Sequence, residues 1–322
     1  MSPPERGPAG PLDLLVIGDC KPDVMVVGGD VTPAFGQQEK LVDGISLEIG
    51  GSASITAVAA ARLGLRVALA AAVGDDPAGR FMLAQLAAAG VDTAAVAVRS
   101  DAPTGMTVAL SAGRDRAILT ATGAVSSLTA QDVPSALLLR ARHVHVGSYF
   151  LLAGSLGPGL AALLGAARAA GASTSVDTNW DPAQRWADQR LADAFAQVSL
   201  LLPNEAEALH LARAADLEQA VAALTAAGPR LVVKLGERGA LCADGPRRYL
   251  ASPPPVTVAD TTGAGDCFNA GVIAGLLGGL DLPAVSTAPH TTRQLKHAAG
   301  SSPRAESLVP GFVGLKSSTG SR

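Results

Sequence analysis

From Leu12 onward the chain alternates short apolar runs with alanine-rich stretches, and no other feature restricts its fold as much. LDLLVIGD (Leu12 to Asp19) ends in Gly-Asp, the pattern of a parallel strand buried on both faces with a polar carboxyl end. SASITAVAAARLG (Ser52 to Gly64) predicts a helix, with a serine at its start and Gly64 to stop it. RVALAAAVG (Arg66 to Gly74) predicts the next strand and GRFMLAQLAAAG (Gly79 to Gly90) the next helix. Further strand-helix pairs follow: HVHVG with GLAALLGAARAAG, STSVD with a helix after Pro182, SLLLPN with EAEALHLARAA, then LVVKLG. Strands separated by helices predict an α/β fold with a doubly wound, mainly parallel sheet.

Two regions break that rhythm. The turn-rich stretch at about 24–48, and TGMTVALSAGRDRAILTATGA (Thr104 to Ala124) with its turn at Ala-Gly-Arg-Asp, read as strands and a hairpin. They are expected to leave the main sheet, as segments 24–48 and 104–120, and form a small β-strand lid. Residues 1–13, rich in Pro and Gly, are expected to be a disordered tail ahead of a domain at 14–285.

Composition removes several classes of function. Net charge is −3 and only 16% of residues are charged, so no basic surface points to nucleic acid. Cys20, Cys242 and Cys267 are scattered, without a disulfide framework or CxxC metal site, as expected of a cytoplasmic protein. The start, MSPPERGPAGP, has no apolar core of a signal peptide. Val144 to Ala167 carries no Asp, Glu, Lys or Arg, but glycines and Pro158 divide it into strand, loop and helix rather than a membrane span.

In such sheets ligands bind at the carboxyl ends of the strands. Asp19, Asp23, Gly50, Gly51, Asp177, Asn179, Asn204, Glu207, Gly236 and the stretch Asp260 to Asp266 all fall on that rim. Gly263-Ala264-Gly265 precede an apolar helix, so their free amides can form an anion hole. Asp266, in the first turn, is placed to take a proton from a hydroxyl attacking a phosphate bound there. A bare GAGD would equally suit a simple helix cap and turn.

Two other glycine patterns fail on chemistry. GDDPAGR (Gly74 to Arg80) has arginine where a P-loop needs lysine and lacks the following Ser/Thr. GPGLAA (Gly157 to Ala162) puts Pro158, which has no amide hydrogen, in the loop that would face a pyrophosphate.

The full string DTTGAGDCFNAG (Asp260 to Gly271) resembles the C-terminal motif of the ribokinase-like (PfkB) carbohydrate kinases. EIGGSASITAVAAARLG (Glu48 to Gly64) resembles their N-terminal motif, LLPNEAE their Asn-x-x-Glu element, and VVKLGERGA their nucleotide-binding strand and loop. The resemblance runs from about Leu14 to Ala284 and implies an ATP-dependent kinase using Mg2+. It implies that Asp266 is the base and that Gly263, Ala264 and Gly265 build the anion hole. Asn204 and Glu207 would serve the magnesium and phosphate side, and Lys234, Gly236, Glu237, Arg238 and Gly239 would line the nucleotide. Asp23 would bind sugar hydroxyls, with Gly50 and Gly51 as a hinge below the lid. Asp260 and Thr262 match positions that hold a monovalent cation, K+, in some members. Asn204 and Glu207 also suit a plain helix start. The acceptor implied is a small sugar or a nucleoside, and the lid suggests a homodimer.

The chain departs from that pattern twice. Ile55 stands where most members bond the sugar through asparagine, and an isoleucine neither donates nor accepts. After Ala284, the expected Ala-rich helix and Gly-containing segment are replaced by a tail rich in Ser, Thr, Pro, Arg and Lys, expected to be disordered over 286–322. These departures keep open a sugar-binding protein of this kind without turnover.

Overall fold

The structure is a computed structural model that describes residues 11–112, 115–186, 188–252 and 263–287. In chain order it runs β1 (Leu12–Ile17), β2 (Lys21–Val27), β3 (Gly44–Gly50), α1 (Ser52–Arg62), β4 (Val67–Gly74), α2 (Pro77–Ala88) and β5 (Asp92–Arg99). Next come β6 (Met106–Ala112), β7 (Asp115–Ala121), α3 (Ser135–Leu138), β8 (Ala141–Val146), α4 (Tyr149–Leu152), α5 (Gly157–Ala169) and β9 (Ser173–Val176). The chain continues with α6 (Gln189–Phe195), β10 (Leu200–Leu201), α7 (Glu205–Ala212), α8 (Leu217–Ala226) and β11 (Arg230–Lys234). The last described elements are β12 (Ala240–Asp244), β13 (Arg247–Ala251), α9 (Ala264–Leu277) and α10 (Leu282–Thr287).

The main sheet has nine strands in the order β13-β12-β11-β10-β9-β8-β1-β4-β5. All pairings from β11 to β5 are parallel, and only β12 runs against its neighbours. The expected α/β, doubly wound and mainly parallel sheet is therefore present. β1 is buried along its whole length, with Leu15 and Ile17 in the core on one face and Leu14 and Val16 in the core on the other. Small residues let α1 lie close: Ala53, Ala57 and Ala60 are fully buried beside Ile273 of α9. Strand order reverses between β1 and β8, so the loops after these strands part there and open a crevice.

β3, β2, β6 and β7 form a separate four-stranded sheet. β2 follows β1 after only Gly18 to Cys20, so the second sheet leaves the body at the rim of the first. One face of it packs inward through Asp23, Met25, Thr107 and Ala109. On the other, the cross-strand pairs Val24–Leu47, Val26–Ile45 and Val108–Leu119 leave an apolar surface, with Ile45 68% and Leu119 65% exposed.

Several boundaries differ from the sequence expectation. α2 starts at Pro77, because Asp76 caps it by accepting from the Gly79 amide. The helix expected after Pro182 begins only at Gln189, behind a loop tied up by Asp181. β5 and the β12–β13 hairpin were not expected from their patterns: they end the sheet, carry exposed residues such as Val98 and Leu250, and lack a continuous apolar run. β1 already begins at Leu12, where its amide reaches Arg140 O, so the domain starts before residue 14. At the other end, α10 buries Leu282 and Val285. The expectations for residues 1–10 and 288–322 lie outside the described residues.

Candidate active site

α9 begins at a turn whose left-handed residue is Gly263 (φ 67°). A side chain there would be strained, and its Cβ would lie 3.1 Å from Ile55 Cγ2. Ile55 therefore packs against the turn at Gly263. Among the described residues no side chain caps this helix, so its first amides have no side-chain acceptor there. Asp266 sits half-buried in that first turn, where Ser52 Oγ donates to its Oδ1 at 2.5 Å. Burial foremost, together with the charges of Asp177 and Asp19, pushes the Asp266 carboxyl up to about 7, against the opposing pull of Ser52 and Lys234.

Behind that turn lies a buried ion pair. Lys234, the last residue of β11, extends its ammonium to Asp177 Oδ2 at 2.5 Å, and Asn269 Nδ2 of α9 donates to the same oxygen at 2.5 Å. A Cβ on Gly265 would stand 3.6 Å from Lys234 Nζ, so the cation lies directly against the first turn of α9. Burial works against that charge, but Asp177 and Glu207 outweigh it and hold the Lys234 ammonium above its usual value.

Asn204 and Glu207 cap α7 reciprocally: the Glu207 amide donates to Asn204 Oδ1, and the Asn204 amide and Nδ2 donate to the Glu207 carboxylate, all within 2.8 Å. Burial foremost, with the Asp177 charge, raises Glu207 to about 7. Each of its oxygens keeps one lone pair beyond the cap. Among the described residues no three His, Cys, Asp or Glu side chains gather as a metal cage. That donor set suits an ion that keeps most of its waters.

On the other side of the crevice, Lys21 Nζ lies 3.6 Å from both Asp19 and Asp23. Asp19 accepts from the Ala53 amide at the start of α1 (3.1 Å). Gly50 is required by close approach, since a Cβ there would come 2.0 Å from Asp23 Oδ1. Gly51 turns the chain with φ 83°. Burial foremost raises the Asp23 carboxyl. Its Oδ1 is buried without a hydrogen-bond partner among the described residues, as are Thr178 Oγ1, His145 Nε2 and Asn269 Oδ1. These orphaned atoms lie on β2, β8, α9 and the loop after β9, and each is a buried polar group that a bound molecule or water could satisfy.

A polar ladder runs beneath the rim. His143 bonds Ser173 and Ser175 at 2.7 Å, and Ser175 bonds His145 at 2.8 Å. Burial pushes both imidazoles down, to about 3 at His143 and about 4 at His145.

The structure thus brings Asp266, Gly263, Ala264, Gly265, Lys234, Asn204, Glu207, Asp23, Gly50, Gly51 and Ile55 to one end of the main sheet. Gly236, Glu237, Arg238 and Gly239 form the turn that leaves β11 there, with Arg238 ion-paired to Glu205. Asp260 and Thr262 lie outside the described residues. Ser52 contacts Asp266 directly, as Lys21 does Asp19 and Asp23, and Asn269 does Asp177. Single Ser, Lys and Asn side chains carry no pattern of their own, though the spacing of Ser52 and Asn269 from their motif glycines placed them within reach.

A family model, pfkB family carbohydrate kinase, matches residues 12–294. The chain belongs to that family. It is 30% identical to ribokinase of Bacillus subtilis across 84% of this chain and 88% of that one. It is 29% identical to ribokinase of Haemophilus influenzae across 82% and 85%. A candidate ribokinase II of E. coli, solved with ATP and Mg2+, superposes with a TM-score of 0.75 at 25% identity, covering 85% of this chain and 89% of that one. This PfkB kinase is a phosphotransferase with an alcohol group as acceptor, of the sugar and nucleoside kinase class.

Proposed function

We propose that this kinase transfers the γ-phosphoryl group of ATP to a primary hydroxyl of a small sugar or sugar-like molecule, with Asp266 as the base. One observation carries it: a carboxylate whose proton affinity is tuned to about neutrality stands in the first turn behind an open helix N-terminus. Asp266 accepts the hydroxyl proton as the oxygen attacks, and the α9 amides with Lys234 hold the negative charge that builds on the transferring group. Asp23, whose buried Oδ1 has the Lys21 ammonium at 3.6 Å but no hydrogen bond among the described residues, orients the acceptor. Magnesium, when bound, offsets phosphate charge, and Glu207 with Asn204 would hold it through water. The turn Gly236 to Gly239 after Lys234 would line the nucleotide. For K+, the assignment of Asp260 and Thr262 rests on the resemblance alone.

The four-stranded sheet would act as a lid over Asp23 and Asp266, excluding water from the transferring group. Its exposed aliphatic face suits a second copy of the chain, which supports a homodimer. The three buried free cysteines fit a reducing cytoplasm.

A panel of free sugars and nucleosides, assayed for ATP consumption, tests the reading. Turnover on a free sugar supports it. Turnover on nucleosides alone moves the acceptor to a ribosyl group. Tight binding with no transfer at saturating ATP and magnesium defeats it in favour of a binding protein, for which Ile55 speaks.

A further inference from the structure

A cavity of about 410 Å3 opens between α7 and the loop that follows β9, and none of its walls belongs to the rim around Asp266. That volume falls within the span of small-molecule sites, about 300–1,000 Å3. Along α7, Ala206, Leu209 and His210 recur at helical spacing and line it, joined by Arg213 at the helix C-cap. Arg185 and Trp186 close the opposite side.

The loop is firmly built. Asp181, buried, accepts from the amides of Ala183 at 2.9 Å and of Arg185 and Trp186 at 2.8 Å. Trp186 stacks on His210, with centroids 4.7 Å apart and planes 10° from parallel, and Trp180 meets both edge-on. Gln184 (φ 51°), Trp186 (φ 55°) and Arg213 (φ 50°) are all left-handed, although none is glycine. Such conformations persist where the surroundings fix them, and they gather at ligand sites.

The charge is one-sided. Arg99, Arg190 and Arg238 each pair with an acid, whereas Arg185 and Arg213 have no acidic partner among the described residues, and no carboxylate lines the cavity. Arg185 and Arg213, both exposed, line the same cavity, so an anion held there could pair with either guanidinium, whose planar fork matches phosphate oxygens. The aromatic stack beside them offers an apolar wall for a ring. We propose that this cavity is a second ligand site, distinct from the catalytic rim, for a small phosphate monoester bearing a planar ring.

The chain's two tryptophans, Trp180 and Trp186, both stand here, so intrinsic fluorescence reports occupancy. The test titrates the full chain with phenyl phosphate, with a non-hydrolysable ATP analogue and magnesium present to fill the rim. Inorganic phosphate and benzyl alcohol serve as comparators. Expected is saturable binding of phenyl phosphate, stronger than of either comparator and retained in Asp266→Asn. Loss of affinity by at least about tenfold is expected in Arg185→Ala/Arg213→Ala, the scale of one charge-assisted hydrogen bond. Arg185→Gln/Arg213→Gln, which keeps side-chain bulk, should show the same loss if the alanine pair disturbs the stack. Absence of binding in the wild type, affinity equal to wild type in both arginine pairs, or displacement by the nucleotide would each overturn the proposal.

Discussion

Ser52 Oγ donates a 2.5 Å hydrogen bond to Asp266 Oδ1, joining the first turn of α1 to the first turn of α9. The bond favours the charged carboxylate, while burial and the nearby acids favour the neutral one, and the balance stands at about 7. Ser52→Ala removes the opposing pull, so the Asp266 pKa must rise. The acid limb of the kcat/KM profile should then move to higher pH, with the plateau rate at alkaline pH nearly kept. An unmoved limb would mean that Asp266 does not set the profile.

Asp266→Asn keeps the shape of the side chain but removes the proton acceptor. We expect kcat to fall by several orders of magnitude while nucleotide affinity, measured by titration, is largely unchanged. A variant that retained a tenth of the activity, a loss of only about 1.4 kcal/mol, would remove Asp266 from the mechanism.

Gly263→Ala tests the turn itself. The left-handed φ should cost about 1–2 kcal/mol, and the new methyl also presses on Ile55. Trimming the neighbour in Gly263→Ala/Ile55→Ala relieves only the contact, so stability in urea should recover in part and kcat should stay low. Complete recovery of both would show that the turn has no conformational requirement.

Much of this was legible in the chain because it rests on local pattern. β1, β4 and β11 are apolar enough to be read alone, and the glycines at 50, 51, 263 and 265 announce turns and close approaches. The Lys234–Asp177 pair was not legible. It joins strands β11 and β9 through their order in the sheet, and nothing within five residues of either marks the other. β5 escaped for a related reason, since an edge strand needs only one buried face and DTAAVAVR alternates too weakly to show it. Ile55 read as a lost sugar contact, and in space it is also the wall against which Gly263 turns.

Because Lys234 and Asp177 are buried together, removing either one strands the other. Asp177→Asn or Lys234→Met alone should destabilise by about 3–5 kcal/mol. The double variant should cost less than the sum of the singles, and a double-mutant cycle in denaturant measures the difference. Strict additivity would mean that the pair does not interact in solution.

The histidine ladder sets an acid limit. His143 and His145 are held neutral by burial, with pKa values near 3 and 4, while in the unfolded chain a histidine titrates at about 6.5. Between those values the unfolded chain binds more protons, so the ladder's contribution is complete above about 6.5 and is lost as pH falls toward 4 and then 3. Asp266 and Glu207 act in the opposite sense: their raised pKa values favour the folded state at low pH and cost stability as pH climbs through about 7. The whole protein's pH curve mixes the two, so the histidines must be isolated by difference. His143→Gln removes one titrating ring but leaves a group able to bond Ser173 and Ser175. Urea unfolding of the wild type and this variant, at about pH 7.5 and about pH 5.5, should show the wild type's advantage shrinking on acidification. An advantage that stays constant across that interval would mean that His143 titrates alike in both states and that the ladder is open to water.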